Sequence, residues 1–554
     1  MHLQPEISTG VEENGMTINK GWLASILGVL SFTAVSVQAA AVPAGVQLAD
    51  KQELVRANGS EPASLDLHKV ESDVEGNLIH DFFEKLVSVR DDGVVMPGLA
   101  DRWENKDNQV WTFHLRPGLK WSDGSPITAD DVVFSWQRLA DPKTLSPYQS
   151  YIGSLHVLNA GDIIVGKKSP QELGIKALDK QTVQVTLDQP LSYFLPMVDH
   201  YVMITVPKAA IEKFGDKWTQ TANFVGSGPF VPTEWVVNER ITAKRNPNYW
   251  DNAHTVLNKV TYLVIVSNTA EVNRYKAGEV DATYTMPNQL FKSLKEELPN
   301  EVKVTPYLST YLYRFNTQKP PFNDSRVRRA LDLALDKSVI ADKVLGQGQV
   351  PAYNYVPRGM AGYTSNQPEW AGWTQPQRNA EAKKLLKEAG YDESHPLKFQ
   401  LLYNTSEAHQ KVAIAAASMW KQSLGVEATL LNQEWKTLLD TSRTGNFEVV
   451  RGSWGADYNE PSTYFDTLSA NDSNNTGKFN DKAYDEVLDK AVKASSLDDR
   501  SALYHQAEAI LQQQMPLIPI YYYVRSQMVK PYVGGFKTDL KGDYYSKDIF
   551  IIKH

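Results

Sequence analysis

Not one of the 554 residues is a cysteine, and in a chain that carries an export signal this decides how it must hold itself together. Lys20 precedes a mostly apolar run from Leu23 to Val35, and the SVQAAA that follows offers small residues at the −3 and −1 positions of a cut after Ala39 or Ala40. At about 13 residues the run falls short of the ~20 needed to span a bilayer, so residues 1–39 are read as a cleaved secretory signal peptide. Glu6, Glu12 and Glu13 make the leading segment acidic where such signals are basic, which places the expected true start at Met16. Without cysteine, disulfides, lipid anchoring through a processed N-terminal cysteine, cysteine nucleophiles and cysteine-based zinc sites are all excluded. Stability has to come from packed apolar cores. No later segment is long and apolar enough to cross a bilayer, so the expectation is a freely soluble exported protein, located in the periplasm of a double-membraned bacterium.

A chain of 554 residues with 42 % apolar content suggests two to four domains. The formal charge of −8 is spread without long like-sign blocks, so no electrostatic footprint for nucleic acid is visible. Strand and helix patterns alternate along it. WTFHLRPGLKW (111 to 121) places Trp111, Phe113 and Leu115 on one face of a strand before a Pro-Gly turn, and TADDVVFSWQRL opens a helix with Thr128 and Asp131 spaced as a capping box. RVRRALDLAL (326 to 335), NAEAKKLLKEAG (379 to 390, stopped by Gly390) and HQKVAIAAASMWKQSLG (409 to 425) read as amphipathic helices, followed by short strands such as VEATLL. This alternation predicts α/β lobes, and the lack of a long Pro/Gly/Ser linker predicts that the chain passes between them more than once.

Catalytic patterns are missing from the sequence. There is no HExxH, the 11 histidines never sit four apart, and no G-x-S-x-G elbow occurs. GDIIVGKKS (161 to 169) resembles a phosphate loop but has Lys168 where a Ser or Thr must meet magnesium, and it runs into Pro170 where a helix should begin; it is read as a surface loop. Asp130 and Asp131 are explained by the helix macrodipole. No cofactor or metal is expected.

Three blocks carry a resemblance. PGLADRWENKDNQVWTFHLRPGLKWSDGSPITADDVVFSWQR (97 to 138) resembles the signature region of the extracytoplasmic peptide- and nickel-binding proteins that feed ABC importers. GSGPFVPTEWVVNERITAKRNPNYWD (226 to 251) continues the match, and LLYNTSEAHQKVAIA…NQEWKTLLD…VVRGSWGADYNEPST (401 to 463) is similar to the oligopeptide-binding branch, including the murein-peptide-binding proteins. The resemblance implies a two-lobed periplasmic-binding-protein fold with a hinge and an additional domain beside the first lobe. It places lobe I at 40–83, 208–308 and 525–554, the additional domain at 84–207, and lobe II at 309–524.

It also implies roles. Asp457, in the W-x-x-D-Y-N-E-P motif, becomes the partner of a peptide α-amino group, and an ammonium leaving water needs such a carboxylate. Arg451 is the candidate partner of a ligand carboxylate, for which a planar guanidinium is suited, and His409 matches a second carboxylate-meeting position. Trp435, Trp454, Tyr148 and Tyr523 match positions lining wet side-chain pockets, while Asn404 and Glu71 match polar positions beside the peptide. Two departures stand out. Ser309 and Gly455 occupy positions where some relatives have cysteines, and Leu345 occupies one where general oligopeptide binders place a lysine that meets the carboxyl end of a tripeptide. The resulting reading is a monomeric periplasmic receptor that delivers short peptides to an inner-membrane ABC permease, with a murein-tripeptide receptor and an exported peptide- or glycan-acting enzyme as alternatives.

Overall fold

The computed structural model describes residues 42–554 other than 471, 473 and 495, and describes no side chain at 435 or 436. The expected signal peptide at 1–39 lies outside the described residues. Among the described residues no helix is long and apolar enough to cross a membrane.

Local rules act where the sequence shows them. Trp111, Phe113 and Leu115 are the buried side of strand Val110–Leu115, and Thr128 with Asp131 closes a capping box on helix Ala129–Ala140, the Thr128 N–H donating to the Asp131 carboxylate at 2.9 Å. Helix Glu407–Leu424 ends on Gly425, whose φ of +70° is the left-handed conformation glycine adopts without strain. Two expectations are corrected. The helix read from 379 begins earlier, at Gln375, because Thr374 and Gln377 form a capping box with Pro376 in the first turn. The segment read as a loop from Gly161 is helical through Ile164, in helix Ala160–Ile164.

Three larger sheets organise the chain. One orders strands Glu53–Ala57, Lys259–Leu263, Arg240–Arg245 and Phe230–Val236, with only the first pair parallel. A second, wholly antiparallel, orders Ala100–Lys106, Val110–Leu115, Thr182–Thr186 and Ile175–Asp179. Short hairpin turns make antiparallel neighbours of consecutive strands here, so these parts depart from a simple α/β alternation. The third sheet has six strands, in the order Val350–Pro351, Leu517–Met528, Val302–Phe315, Val449–Gly455, Lys398–Asn404 and Glu427–Gln433. Its parallel pair 398–404 and 427–433 is joined by helix 407–424, the crossover such a pair requires.

Period-two alternation divides the core of this sheet. Leu401 and Tyr403 pack with Val412, Ala416 and Trp420 of the crossover helix, while Leu402 and Val450 turn to the opposite face against Leu438 and Phe447. The long strands 302–315 and 517–528 join two cores. Val302 and Met528 pack with Ala57, Val272 and Tyr275, whereas Tyr311, Tyr313, Ile518 and Ile520 belong to the core of the six-stranded sheet. Their pairing shifts register between Pro306 and Thr310, at the junction of the two halves.

Candidate functional site

The 449–455 strand is paired along one edge with 302–315, from Ser309 opposite Gly455 to Phe315 opposite Val449. On its other edge, among the described residues, only Val449 and Val450 meet a neighbouring strand, at Leu401 and Leu402. From Arg451 to Gly455 that edge faces a cavity of about 1130 Å³. An unpaired strand edge is a template for another extended chain, and proteins ordinarily blunt it. Here it lines a cavity instead.

Alternation along the strand sends neighbouring side chains to opposite sides. Arg451 and Ser453 share a face with Tyr313 and Tyr311, their partners across the ladder; Trp454 lies opposite Thr310 and packs toward Tyr355 and Tyr464. Arg451 is 6 % exposed and has no ion pair among the described residues. Its Nη2 donates to the Tyr523 hydroxyl at 2.6 Å, its Nη1 to Asn404 Oδ1 at 3.3 Å, and its guanidinium lies 4.8 Å from the centre of the Tyr311 ring. Burial alone would lower its pKa, and the phenols of Tyr523, Tyr311 and Tyr521 turn the balance upward. A buried cation held only by neutral groups is an incomplete arrangement, favourable to an incoming carboxylate.

Asp457 stands just beyond the other end of the strand. Its Oδ1 accepts from the Tyr148 hydroxyl at 3.4 Å and lies 3.5 Å from His200 Nε2, and it meets no lysine or arginine among the described residues. His200 is buried among the rings of Tyr148, Tyr151 and Tyr201. Burial, and then the charge of Asp457, hold the pKa of all three phenols well above the usual tyrosine value, so they remain neutral donors. His200 has no signal in the sequence, because Tyr148, Tyr151 and Asp457 come to it from segments far away along the chain.

The remaining expected residues are placed as follows. Glu71 lines the cavity and pairs with Arg443 at 3.4 Å. Trp454, Tyr148 and Tyr523 also line it. Asn404 reaches the site by holding Arg451. His409 stands behind Arg451, its ring 5.5 Å from Tyr311, and burial followed by the Arg451 charge lowers its pKa to about 2. It is therefore neutral, and is absent from the cavity lining. Trp435 opens helix Trp435–Arg443, but its side chain lies outside the described residues. Ser309 and Gly455 are direct cross-strand partners, which accounts for their changing together. Leu345 is buried in the core of the six-stranded sheet, away from the cavity. A further wall of the cavity is a charge network: Lys85 meets Asp199 at 2.9 Å, Lys541 meets the same carboxylate, and His80 meets Asp543 at 3.2 Å.

The chain is similar over most of its length to known proteins. The chain is 54 % identical over 533 residues to the periplasmic oligopeptide-binding protein OppA of Salmonella typhimurium, covering 96 % of this chain and 98 % of that one. The structure of the murein tripeptide binding protein MppA of Escherichia coli superposes with a TM-score of 0.85 at 45 % identity, over 92 % of this chain and 100 % of that one. Haemophilus influenzae OppA in complex with the peptide RPPGFSPFR gives a TM-score of 0.83 at 44 % identity, again over 92 % and 100 %. The fold is the two-lobed one of these periplasmic binding proteins. The family profile described as bacterial extracellular solute-binding proteins, family 5 Middle, matches residues 94–476. With both the profile and the full-length likeness in hand, this chain belongs to the bacterial extracellular solute-binding proteins of family 5.

Proposed function

We propose that this protein is a periplasmic receptor that captures short peptides and presents them, chemically unchanged, to an inner-membrane ABC permease. One observation carries the reading: an open strand edge lies in a cavity between a carboxylate and a guanidinium, and among the described residues the first meets no lysine or arginine and the second no carboxylate. The free edge from Arg451 to Gly455 would accommodate an extended peptide of about three to five residues. Asp457 neutralises its ammonium and Arg451 a carboxylate, while backbone pairing supplies affinity that ignores side-chain identity. In this reading lobe I comprises 40–83, 208–308 and 525–554, the additional domain 84–207 and lobe II 309–524. The strands 302–315 and 517–528 then cross between lobes, and their register shift at Pro306–Thr310 is a natural hinge. The protein acts as a monomer, and hydrolyses nothing itself.

A second reading, specialisation for murein tripeptide, draws on Leu345. Its side chain belongs to the core, so the cavity receives no lysine from that position for a tripeptide's terminal carboxylate. Arg451 suits a carboxylate on the second ligand residue, as γ-linked D-Glu offers. Calorimetry with tri- and tetra-alanine tests the main reading. Peptides with free termini should bind, and N-acetylated or C-amidated forms should each bind at least about tenfold more weakly. Equal affinity of free and doubly blocked peptides overturns it, and L-Ala-γ-D-Glu-meso-diaminopimelate in the same series decides the second reading.

A further inference from the structure

The basic side chains lining the cavity divide by partner. Lys85 and Lys541 meet Asp199, His80 meets Asp543, His200 meets Asp457, Arg525 meets Asp73 at 3.0 Å and Arg443 meets Glu71. Among the described residues two have no carboxylate: Arg451, already assigned, and Arg314. Arg314 pairs across the ladder with Val450, next to Arg451 but on the opposite face of the sheet, the face of Trp454. It is 8 % exposed. Nη1 donates to Thr476 Oγ1 at 2.8 Å, and that hydroxyl lies 3.1 Å from Ser442 Oγ; Nε is buried without a partner.

The surroundings leave this charge uncompensated. Burial lowers the pKa of Arg314, and the opposing influence of Tyr355 and Asp472 is too small to restore it. Two carboxyl groups share this part of the wall, Asp466 and Asp472. Burial, then the like charges of Glu460 and Asp472, keep Asp466 well above the carboxylate range, and burial raises Asp472 as well. A carboxyl group kept neutral, as Asp466 is, is a hydrogen-bond donor and no counter-ion, and among the described residues neither aspartate forms an ion pair with Arg314. Thr467, Asn474 and Thr476 complete a polar recess beside the guanidinium.

An extended ligand along the open edge alternates its side chains between the two faces of the sheet. Resting on the peptide-receptor reading above, we infer that Arg314 forms a side-chain subsite on the Trp454 face that selects a ligand residue with a carboxylate side chain. The recess would receive aspartate or glutamate, whose carboxylate would pair with the guanidinium, and would disfavour lysine or arginine by like-charge repulsion.

The test is a position scan. Tetra-alanine with free termini is compared with peptides carrying Glu, Gln or Lys at each position in turn, by calorimetry on the mature protein. At one position Glu should bind about tenfold or more tightly than Gln, with Lys weakest. Arg314→Gln should bring the Glu-to-Gln ratio at that position to near one, and Arg314→Lys should retain part of it; thermal unfolding checks that both variants fold. A Glu-to-Gln ratio near one at every position of the wild type overturns the inference, and so does a ratio that survives in Arg314→Gln. Failure of tetra-alanine and all its variants to bind the wild type instead overturns the peptide-receptor reading, and the subsite with it.

Discussion

Replacing Asp457 by asparagine removes one charge and almost no volume, so its effect on binding can be worked from the site. The carboxylate is 17 % exposed and is met by a tyrosine hydroxyl and a histidine, with no lysine or arginine among the described residues. An ammonium at about 4 Å gains roughly 4 kcal/mol at an effective dielectric near 20. Partial exposure and the cost of dehydrating the ammonium reduce this, and truncating one member of a buried pair ordinarily costs about 2 to 5 kcal/mol. The lower half of that range fits, so Asp457→Asn should weaken a free-amine tripeptide by about 2 to 3 kcal/mol, roughly 30- to 150-fold in Kd. Calorimetry on wild type and variant, each with free and N-acetylated peptide, completes a double-mutant cycle. Acetylation should cost the wild type about as much as the substitution does, and should cost the variant little more. Losses that simply add, or an unchanged Kd, would refute the assignment of Asp457 as the amine anchor. Thermal unfolding should barely move, since asparagine can still accept from Tyr148.

Other expectations follow from the same structure. Arg451→Ala should weaken C-terminally free peptides by about 2 kcal/mol or more, and the loss should largely vanish for amidated peptides; titration of both forms checks it. Leu345→Lys places an ammonium in the core of the six-stranded sheet and should destabilise the fold by about 3 kcal/mol or more, seen in denaturant unfolding. Burial raises Glu271 from 4.5 to about 8, against hydrogen bonds from the Tyr284 and Thr285 backbone. Between those two values the folded state binds more protons than the unfolded one, so stability should fall as pH rises through that window. Glu271→Gln should flatten that slope and raise Tm at pH 8. On the acid side, burial and then Arg138 hold His68 near 3, and burial and then Arg451 hold His409 near 2. Both are neutral in the fold, so the unfolded state takes up more protons below about 6.5 and stability should decline as pH falls.

What the sequence makes legible is local. The Thr128–Asp131 box, the Gly425 stop and the alternation of Trp111, Phe113 and Leu115 are each settled by neighbours within a few positions. Arg451, Trp454 and Asp457 are legible as a group because one strand and its exit carry all three. Where reading fails, the deciding contact is remote or a neighbour outside the chosen window. The start at Gln375 depends on Thr374, one residue before it. His200 comes to Asp457, and Arg314 to Thr476, only through the tertiary fold, and each alone in sequence resembles an ordinary polar residue. Leu345, at a position matched by likeness to a ligand-facing one, turns its own apolar side chain into the core, which the likeness alone does not tell. The order of the six-stranded sheet, with 302–315 between 517–528 and 449–455, is likewise invisible to periodicity.

The central claim is that the cavity retains intact short peptides by their two charged ends. Native mass spectrometry tests it most directly: the mature protein is incubated with a defined mixture of two- to six-residue peptides, half with free termini and half doubly blocked. The account predicts one-to-one complexes whose mass increments match unmodified peptides with free termini, and a supernatant in which no peptide has been shortened. Complexes formed equally with blocked peptides, no retained peptide at all, or fragments appearing with time would contradict it.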